Sequence, residues 1–195
     1  MTIDNSTFIF YFLNFFTLKV ANSSNLIKIA IIFAVCIISQ LLLFNNLQIS
    51  GFINPYVYIL ILLSMPFGTS VPMLMIIGMI AGLCIDIFCD TPGMHAASCV
   101  LIGYLRQYIL KLIAFRDEYK NDTIPSVALY GITWYLKYAA LMVSIHHITL
   151  FFIEQFDTLF FWPTLLRIIL SIIATIGFII AAQFFIPTGK WTEEY

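Results

Sequence analysis

The chain has 195 residues, of which 62% are hydrophobic and only 10% charged, with a formal net charge of -1. That balance excludes an ordinary soluble domain, and it argues against nucleic acid, which calls for a basic patch. The apolar residues fall in runs of roughly 17–25, the length a helix needs to cross a bilayer.

In chain order, residues 1–25 open with Phe8 to Phe16 (FIFYFLNFF), too short to span. No cation precedes this run, which argues against a secretory signal. The expectation is an interfacial extension, or a start set too early. The first crossing helix is predicted at about 26–44, ended by Asn45-Asn46 and Gly51, and the second, a short one, at about 53–67. Pro66 and Pro72 bracket a turn at Phe67-Gly68-Thr69-Ser70, because proline cannot continue a helix interior. The third span is predicted at about 71–88. Asp90-Thr91-Pro92-Gly93 then reads as a turn. The fourth is placed at about 94–114, followed by a polar loop from Arg116 to Ser126. The fifth is placed at about 129–153, and the sixth at about 163–186, stopped by Pro187 and Gly189. The expected fold is an all-α polytopic membrane protein, a single six-helix transmembrane domain over 26–187 with a tail at 188–195.

Lysine and arginine set the expected orientation. With six spans both ends share a side, and that side collects Lys19, Lys28, Lys111, Arg116, Lys120 and Lys190. The opposite loops hold Asp90, Glu154 and Asp157 and lack Lys and Arg. Both termini are therefore expected in the cytoplasm.

Charges inside the runs need a partner or a purpose. Asp86, His95, His146, His147, Glu154 and Arg167 are expected to share an outer layer, with Arg167 pairing with Asp86 or Glu154. His147 and Glu154 are seven apart and share a helix face, which suggests a hydrogen-bonded pair. Arg106 and Lys137 lie deeper, each roughly 10–13 Å from the inner helix end, within reach of headgroups by snorkelling. The layer reads as an internal strut, as snorkelling, as a substrate or ion site, or as a contact for another protein's helix. Adjacent His146 and His147 point about 100° apart, unlike the i, i+3 or i, i+4 pairs that ligate metals. Gly78 and Gly82 form a GxxxG step, and Ala30 and Ala34 a second small-xxx-small step, both suited to close helix packing. Cys36, Cys84, Cys89 and Cys99 read as apolar fillers, with a Cys89–Cys99 bridge open. Ser64, Ser98, Ser144 and Ser171 are expected to back-bond to their own helices. The sequence lacks a P-loop, a nucleophile elbow and HExxH, which argues against an enzyme and implies no cofactor or metal.

Several motifs also occur in a recognisable order. Ile53-Asn54-Pro55-Tyr56-Val57-Tyr58-Ile59-Leu60 resembles the start of the second span of rod shape-determining protein MreD, in its Bacteroidetes form. Gly82-Leu83-Cys84-Ile85-Asp86-Ile87-Phe88, Thr91-Pro92-Gly93-Met94-His95-Ala96-Ala97 and Leu105-Arg106 resemble that family's central motif. Trp134-Tyr135-Leu136-Lys137-Tyr138, His146-His147-Ile148-Thr149-Leu150-Phe151 and Glu154 resemble its fifth span, and Leu165-Leu166-Arg167-Ile168-Ile169-Leu170-Ser171 its sixth. The resemblance covers about 25–185. It implies a non-enzymatic inner-membrane subunit of the cell-elongation machinery, acting beside MreC, the MreB cytoskeleton, the RodA glycosyltransferase and a penicillin-binding transpeptidase. It also implies a helix arrangement similar to substrate-binding subunits of energy-coupling-factor vitamin transporters. A fold likeness does not carry function with it. Two expectations follow: a scaffold that binds the transmembrane helix of MreC, or a transporter subunit that binds a vitamin-type small molecule. A homodimer is compatible with either.

Overall fold

The computed structural model describes residues 23–45, 53–113, 119–154 and 161–185. The expectations for residues 1–22, the tail at 188–195, Lys19, Arg116, Asp157 and Lys190 lie outside the described residues, as does the side chain of Lys28. The described elements are all helical. They are α1 (Ser23–Ser39) with a π-helical turn (Gln40–Phe44), a 3-10 turn (Val57–Ile59), α2 (Leu60–Leu63), α3 (Val71–Cys89), α4 (Met94–Leu112), α5 (Val127–Tyr130), α6 (Ile132–Glu154) and α7 (Phe161–Gln183).

Three helices, α3, α6 and α7, are long and apolar enough to cross a membrane. The apolar stretch Ile29–Phe44 is shorter. α4 has 19 residues, but His95, Arg106, Gln107 and Lys111 make it more polar. The described residues are thus all-α, with three helices of the length and composition of a membrane protein.

Residues 53–67 depart from the expected crossing helix. The chain runs irregularly through Asn54, Pro55 and Tyr56, tightens into the 3-10 turn, and makes only the four-residue α2 before bending at Ser64 and Met65. Pro55 lacks an N–H, and Pro66 stops α2 soon after it begins. This broken segment lies at the centre of the core. Tyr58, Ile59, Ile61, Leu62, Leu63 and Met65 are each at most 1% exposed. Apolar side chains enclose a backbone that does not close its own hydrogen bonds. In a membrane protein, irregular backbone at depth is tolerated only when buried in protein or lining a cavity.

α3 and α4 form a tight antiparallel hairpin. Asp90 ends α3 in the left-handed region (φ 53), where a short polar side chain costs little, and Gly93 (φ 82) starts α4. Gly78, Gly82 and Gly103 allow the backbones to touch. A Cβ on Gly78 would sit 2.7 Å from the Cys99 carbonyl oxygen, and one on Gly103 would sit 2.9 Å from that of Leu74. A Cβ on Gly82 would fall on the Cα and amide nitrogen of Ala96. The GxxxG step therefore faces a helix of this same chain. Ala30 and Ala34 lie instead on the exposed side of α1.

Gly82→Ala should consequently lower the thermal midpoint in detergent, because backbone atoms cannot yield as a side-chain tip can; overpacking of this kind costs about 1–3 kcal/mol. Gly177→Ala on α7 should be neutral or slightly stabilising, since nothing lies within 4 Å of its added Cβ. Equal midpoints for the two variants would mean that α3 and α4 are not in backbone contact at Gly82.

Candidate functional site

The polar side chains of the core converge on the broken segment. At its start they satisfy N–H groups. Gln40, buried at the end of α1, accepts from Val57 N at 2.8 Å and Tyr58 N at 3.3 Å through Oε1. Its Nε2 donates to Pro55 O at 3.1 Å and to Asn45 Oδ1 at 2.9 Å. Thr175 Oγ1 on α7 accepts from Tyr56 N at 3.0 Å, and Ser171 Oγ accepts from Asn54 N at 3.1 Å. Ser171 thus serves the segment, whereas Ser98 does back-bond, to Met94 O at 2.9 Å.

At the segment's other end the needs are carbonyls, and the donors are cationic and amide groups. Arg106 on α4 is fully buried. Its Nη2 donates to Met65 O, its Nη1 to Pro66 O at 3.4 Å, and its Nε to the Tyr138 hydroxyl at 2.7 Å. Tyr138 in turn donates to Leu63 O at 3.5 Å. Gln107 Nε2 donates to Phe67 O at 3.1 Å and to Thr69 O at 2.9 Å. Arg106 therefore does not snorkel. The planar fork of a guanidinium matches several carbonyls at once, and a cation suits the C-terminal end of a helix such as α2. Lys137 is exposed on α6, five residues from the helix start.

Asp86 lies 3% exposed at the α3–α4 turn. Its Oδ1 accepts from His95 N (3.0 Å), His95 Nδ1 (3.0 Å) and Thr91 Oγ1 (2.5 Å), and its Oδ2 from Ala96 N (2.9 Å). Gly93 at the N-cap has no side chain, so Asp86 supplies the cap from the preceding helix, and its charge favours the N-terminus of α4. It does not pair with Arg167.

Arg167 instead meets Glu154 at 3.2 Å and lies over the Phe151 ring at 4.5 Å. With the Asn54 amide turned so that its oxygen faces the guanidinium, Arg167 Nη2 also donates to Asn54 at 2.6 Å. The pair is partly open, with side-chain exposures of 22% and 37%. The expected His147–Glu154 bond does not form. His147 Nδ1 donates to Val143 O at 3.0 Å, and its Nε2 meets Thr175 Oγ1 at 3.1 Å. His146 Nε2 lies 2.7 Å from the Tyr58 hydroxyl. The Tyr56 ring sits 5.3, 6.0 and 5.4 Å from the rings of His95, His146 and His147. The residues expected to share one outer layer therefore form several small clusters around Tyr56. Two buried ring nitrogens, His95 Nε2 and His146 Nδ1, find no hydrogen-bond partner among the described residues.

Outside the spans, the 119–123 stretch straps the Pro66–Thr69 turn. Phe67 N donates to Thr123 O at 3.0 Å, Gly68 N to Asn121 O at 2.8 Å, and Phe67 stacks on Tyr119 at 4.4 Å. Burial pushes the Tyr119 phenol above its ordinary range, opposed by the hydrogen bond from Trp134 Nε1 at 3.1 Å, so it stays a neutral hydroxyl.

All four cysteines are free, so the Cys89–Cys99 bridge is absent. Among the described residues no group of three or more His, Cys, Asp or Glu is placed to hold a metal ion. The charge and histidine pattern does not point to Gln40, Asn54, Tyr56, Tyr58, Gln107, Tyr138 or Thr175. A lone glutamine inside an apolar run was the available signal for Gln40. Thr175, like Ser171, looks like any small helix residue. Comparison of the chain with known protein families, curated proteins and solved structures returns no match.

The geometry ranks the two arginines. Arg106→Leu leaves buried carbonyls unpaired and should cost several kcal/mol, at about 1–3 kcal/mol for each lost partner. Arg167→Leu breaks a half-exposed pair and should cost about 1 kcal/mol or less. Thermal unfolding of both variants in the same detergent checks the order, and a larger drop for Arg167→Leu would contradict this account. Gln40→Leu, which leaves the Val57 and Tyr58 amides unpaired, should fall with Arg106→Leu.

Proposed function

We propose that this chain is a non-enzymatic scaffold subunit of the bacterial inner membrane, a counterpart of rod shape-determining protein MreD. In this reading it binds the transmembrane helix of an MreC-like protein. It supports cell-wall synthesis and cell shape beside RodA-type glycosyltransferase, a penicillin-binding transpeptidase and MreB. It crosses the membrane several times with both termini in the cytoplasm. One observation carries the reading. The buried polar groups that a transporter would turn toward a substrate (Asp86, Arg106, His147, Gln40 and Thr175) are bonded to the chain's own backbone and packed within it. The motif order described above supplies the partner. Purification in a mild detergent should recover an MreC-like protein in complex, and deletion should round the cells. Recovery of the chain alone from cells that keep their rod shape after deletion would end the reading.

The second reading is a vitamin-type substrate-binding subunit of a transporter. It is favoured by His95 Nε2 and His146 Nδ1, two nitrogens near the Tyr56 ring without a hydrogen-bond partner among the described residues. A ligand at a hundred times its Kd would stabilise the fold by about 2.7 kcal/mol. The scaffold reading expects no upward shift of the thermal midpoint across a vitamin panel, and a saturable shift would replace it with the transporter reading.

A further inference from the structure

The three histidines carry a pattern of donors and acceptors that stays open at two atoms. A neutral imidazole has one N–H, and which nitrogen bears it follows from what each nitrogen meets. His147 is closed at both ends. Its Nδ1–H donates to Val143 O at 3.0 Å, so its Nε2 accepts from Thr175 Oγ1 at 3.1 Å, and Thr175 in turn accepts from Tyr56 N at 3.0 Å.

His95 and His146 are each closed at one end. His95 Nδ1 lies 3.0 Å from Asp86 Oδ1, a carboxylate oxygen that accepts, so the proton is on Nδ1 and Nε2 is a bare acceptor. Asp86 also receives His95 N, Ala96 N and the Thr91 hydroxyl, so its charge is met without a second proton on the ring. His146 Nε2 lies 2.7 Å from the Tyr58 hydroxyl. The phenol is the stronger donor of the two, so Nε2 accepts and the His146 proton is on Nδ1. The open atoms are therefore of opposite kind: an acceptor, His95 Nε2, and a donor, His146 Nδ1–H. Both are buried without a hydrogen-bond partner among the described residues, on residues 4% and 0% exposed. A buried polar atom of this kind calls for a partner.

The two rings also share their neighbours. The Tyr56 ring lies 5.3 Å from His95 and 6.0 Å from His146, and the Tyr58 ring lies 6.0 and 5.5 Å from them. The tyrosine rings are themselves 6.2 Å apart. Such spacings are ring-on-ring contacts, so aromatic side chains already take up much of the space around the imidazoles. What joins the two open atoms must be small, accept at one end and donate at the other.

We propose that one water molecule bridges the histidines, accepting from His146 Nδ1–H and donating to His95 Nε2. Buried waters lie where otherwise unmet polar groups converge. The bridge extends Asp86–His95 to His146–Tyr58, one line of hydrogen bonds from the α3–α4 turn to the irregular segment. It accounts for both nitrogens without a vitamin-type ligand. It makes no use of a partner protein, so it stands or falls apart from the scaffold reading.

The test is solid-state nuclear magnetic resonance of the full-length chain in lipid bilayers, with isotope-labelled histidine. The chain has three histidines, so single substitutions assign each signal. All three are expected to carry the proton on Nδ1, the tautomer that an imidazole side chain disfavours in water. Magnetisation should pass from water to His146 Nδ1–H and not to His147 Nδ1–H, which Val143 O occupies. Tyr58→Phe removes the donor to His146 Nε2, so the His146 proton should move to Nε2 while the His95 tautomer is unchanged. A proton on His95 Nε2, a bare His146 Nδ1, or no transfer from water in the unsubstituted chain would overturn the bridge. Direct coupling between the two nitrogens would replace the water with a ring-to-ring bond. Saturable shifts of both signals with one member of a vitamin panel would give the two atoms to a ligand and revive the transporter reading. If Tyr58→Phe does not fold, the spectrum of the unsubstituted chain decides alone.

Discussion

The fold depends on how one irregular stretch of backbone, residues 53–67, is kept satisfied away from water. A regular helix closes its own N–H and C=O groups, and each group left open at membrane depth costs several kcal/mol. The 3-10 turn and the four-residue α2 close only a few of them. Many of the others are met by side chains from four helices: Gln40 from α1, Arg106 and Gln107 from α4, Tyr138 from α6, and Ser171 and Thr175 from α7. Each of these residues meets the segment at a fixed height. The bonds therefore set the vertical register of the helices, something that packing of apolar stripes alone does weakly.

The same logic explains how the buried charges are held. Among the described residues, Arg106 has no carboxylate beside it and Asp86 has no arginine. Each is matched to backbone dipoles instead. Arg106 faces the carbonyl oxygens that follow α2, and Asp86 faces the free N–H groups that open α4. A buried ion pair recovers its desolvation only with excellent geometry and further bonds. Backbone groups here supply several directed bonds to each charge, and they also needed partners of their own. Among the described residues, only the partly exposed Arg167–Glu154 contact is an arginine–carboxylate ion pair.

Much of this was legible in the residues, and the remainder was hidden for identifiable reasons. Hydropathy places the apolar runs, and Asp90-Thr91-Pro92-Gly93 marks the α3–α4 turn because those residues favour local bends. The glycines at 78 and 82 signal close approach, though not toward which helix. Residues 53–67 read as one more crossing because hydropathy measures side chains, while the break concerns backbone bonds. Pro55 and Pro66 look like the ends of a helix when they are the cause of its absence. Arg106 read as a snorkelling side chain because a depth estimate treats every helix face alike. Its true face became clear only once α4 was seen to present it to Met65 and Pro66. Counting charges offers Asp86 or Glu154 as the partner of Arg167 and cannot choose Glu154, because the backbone partners that Asp86 uses instead carry no letter in the sequence.

α4 holds a special place in this arrangement. Its inward side carries Arg106 and Gln107, which hold residues 65–69, and its first turn is capped by Asp86 from α3. Tyr104 and Tyr108 are on its outward side, within two residues of Arg106. A rigid helix cannot rotate to improve one face without moving the other. Turning α4 by even a few tens of degrees would draw the guanidinium from the Met65 and Pro66 carbonyls and leave a buried cation and its carbonyls unpaired at once. The inward bonds therefore fix the angle at which the two phenols face outward.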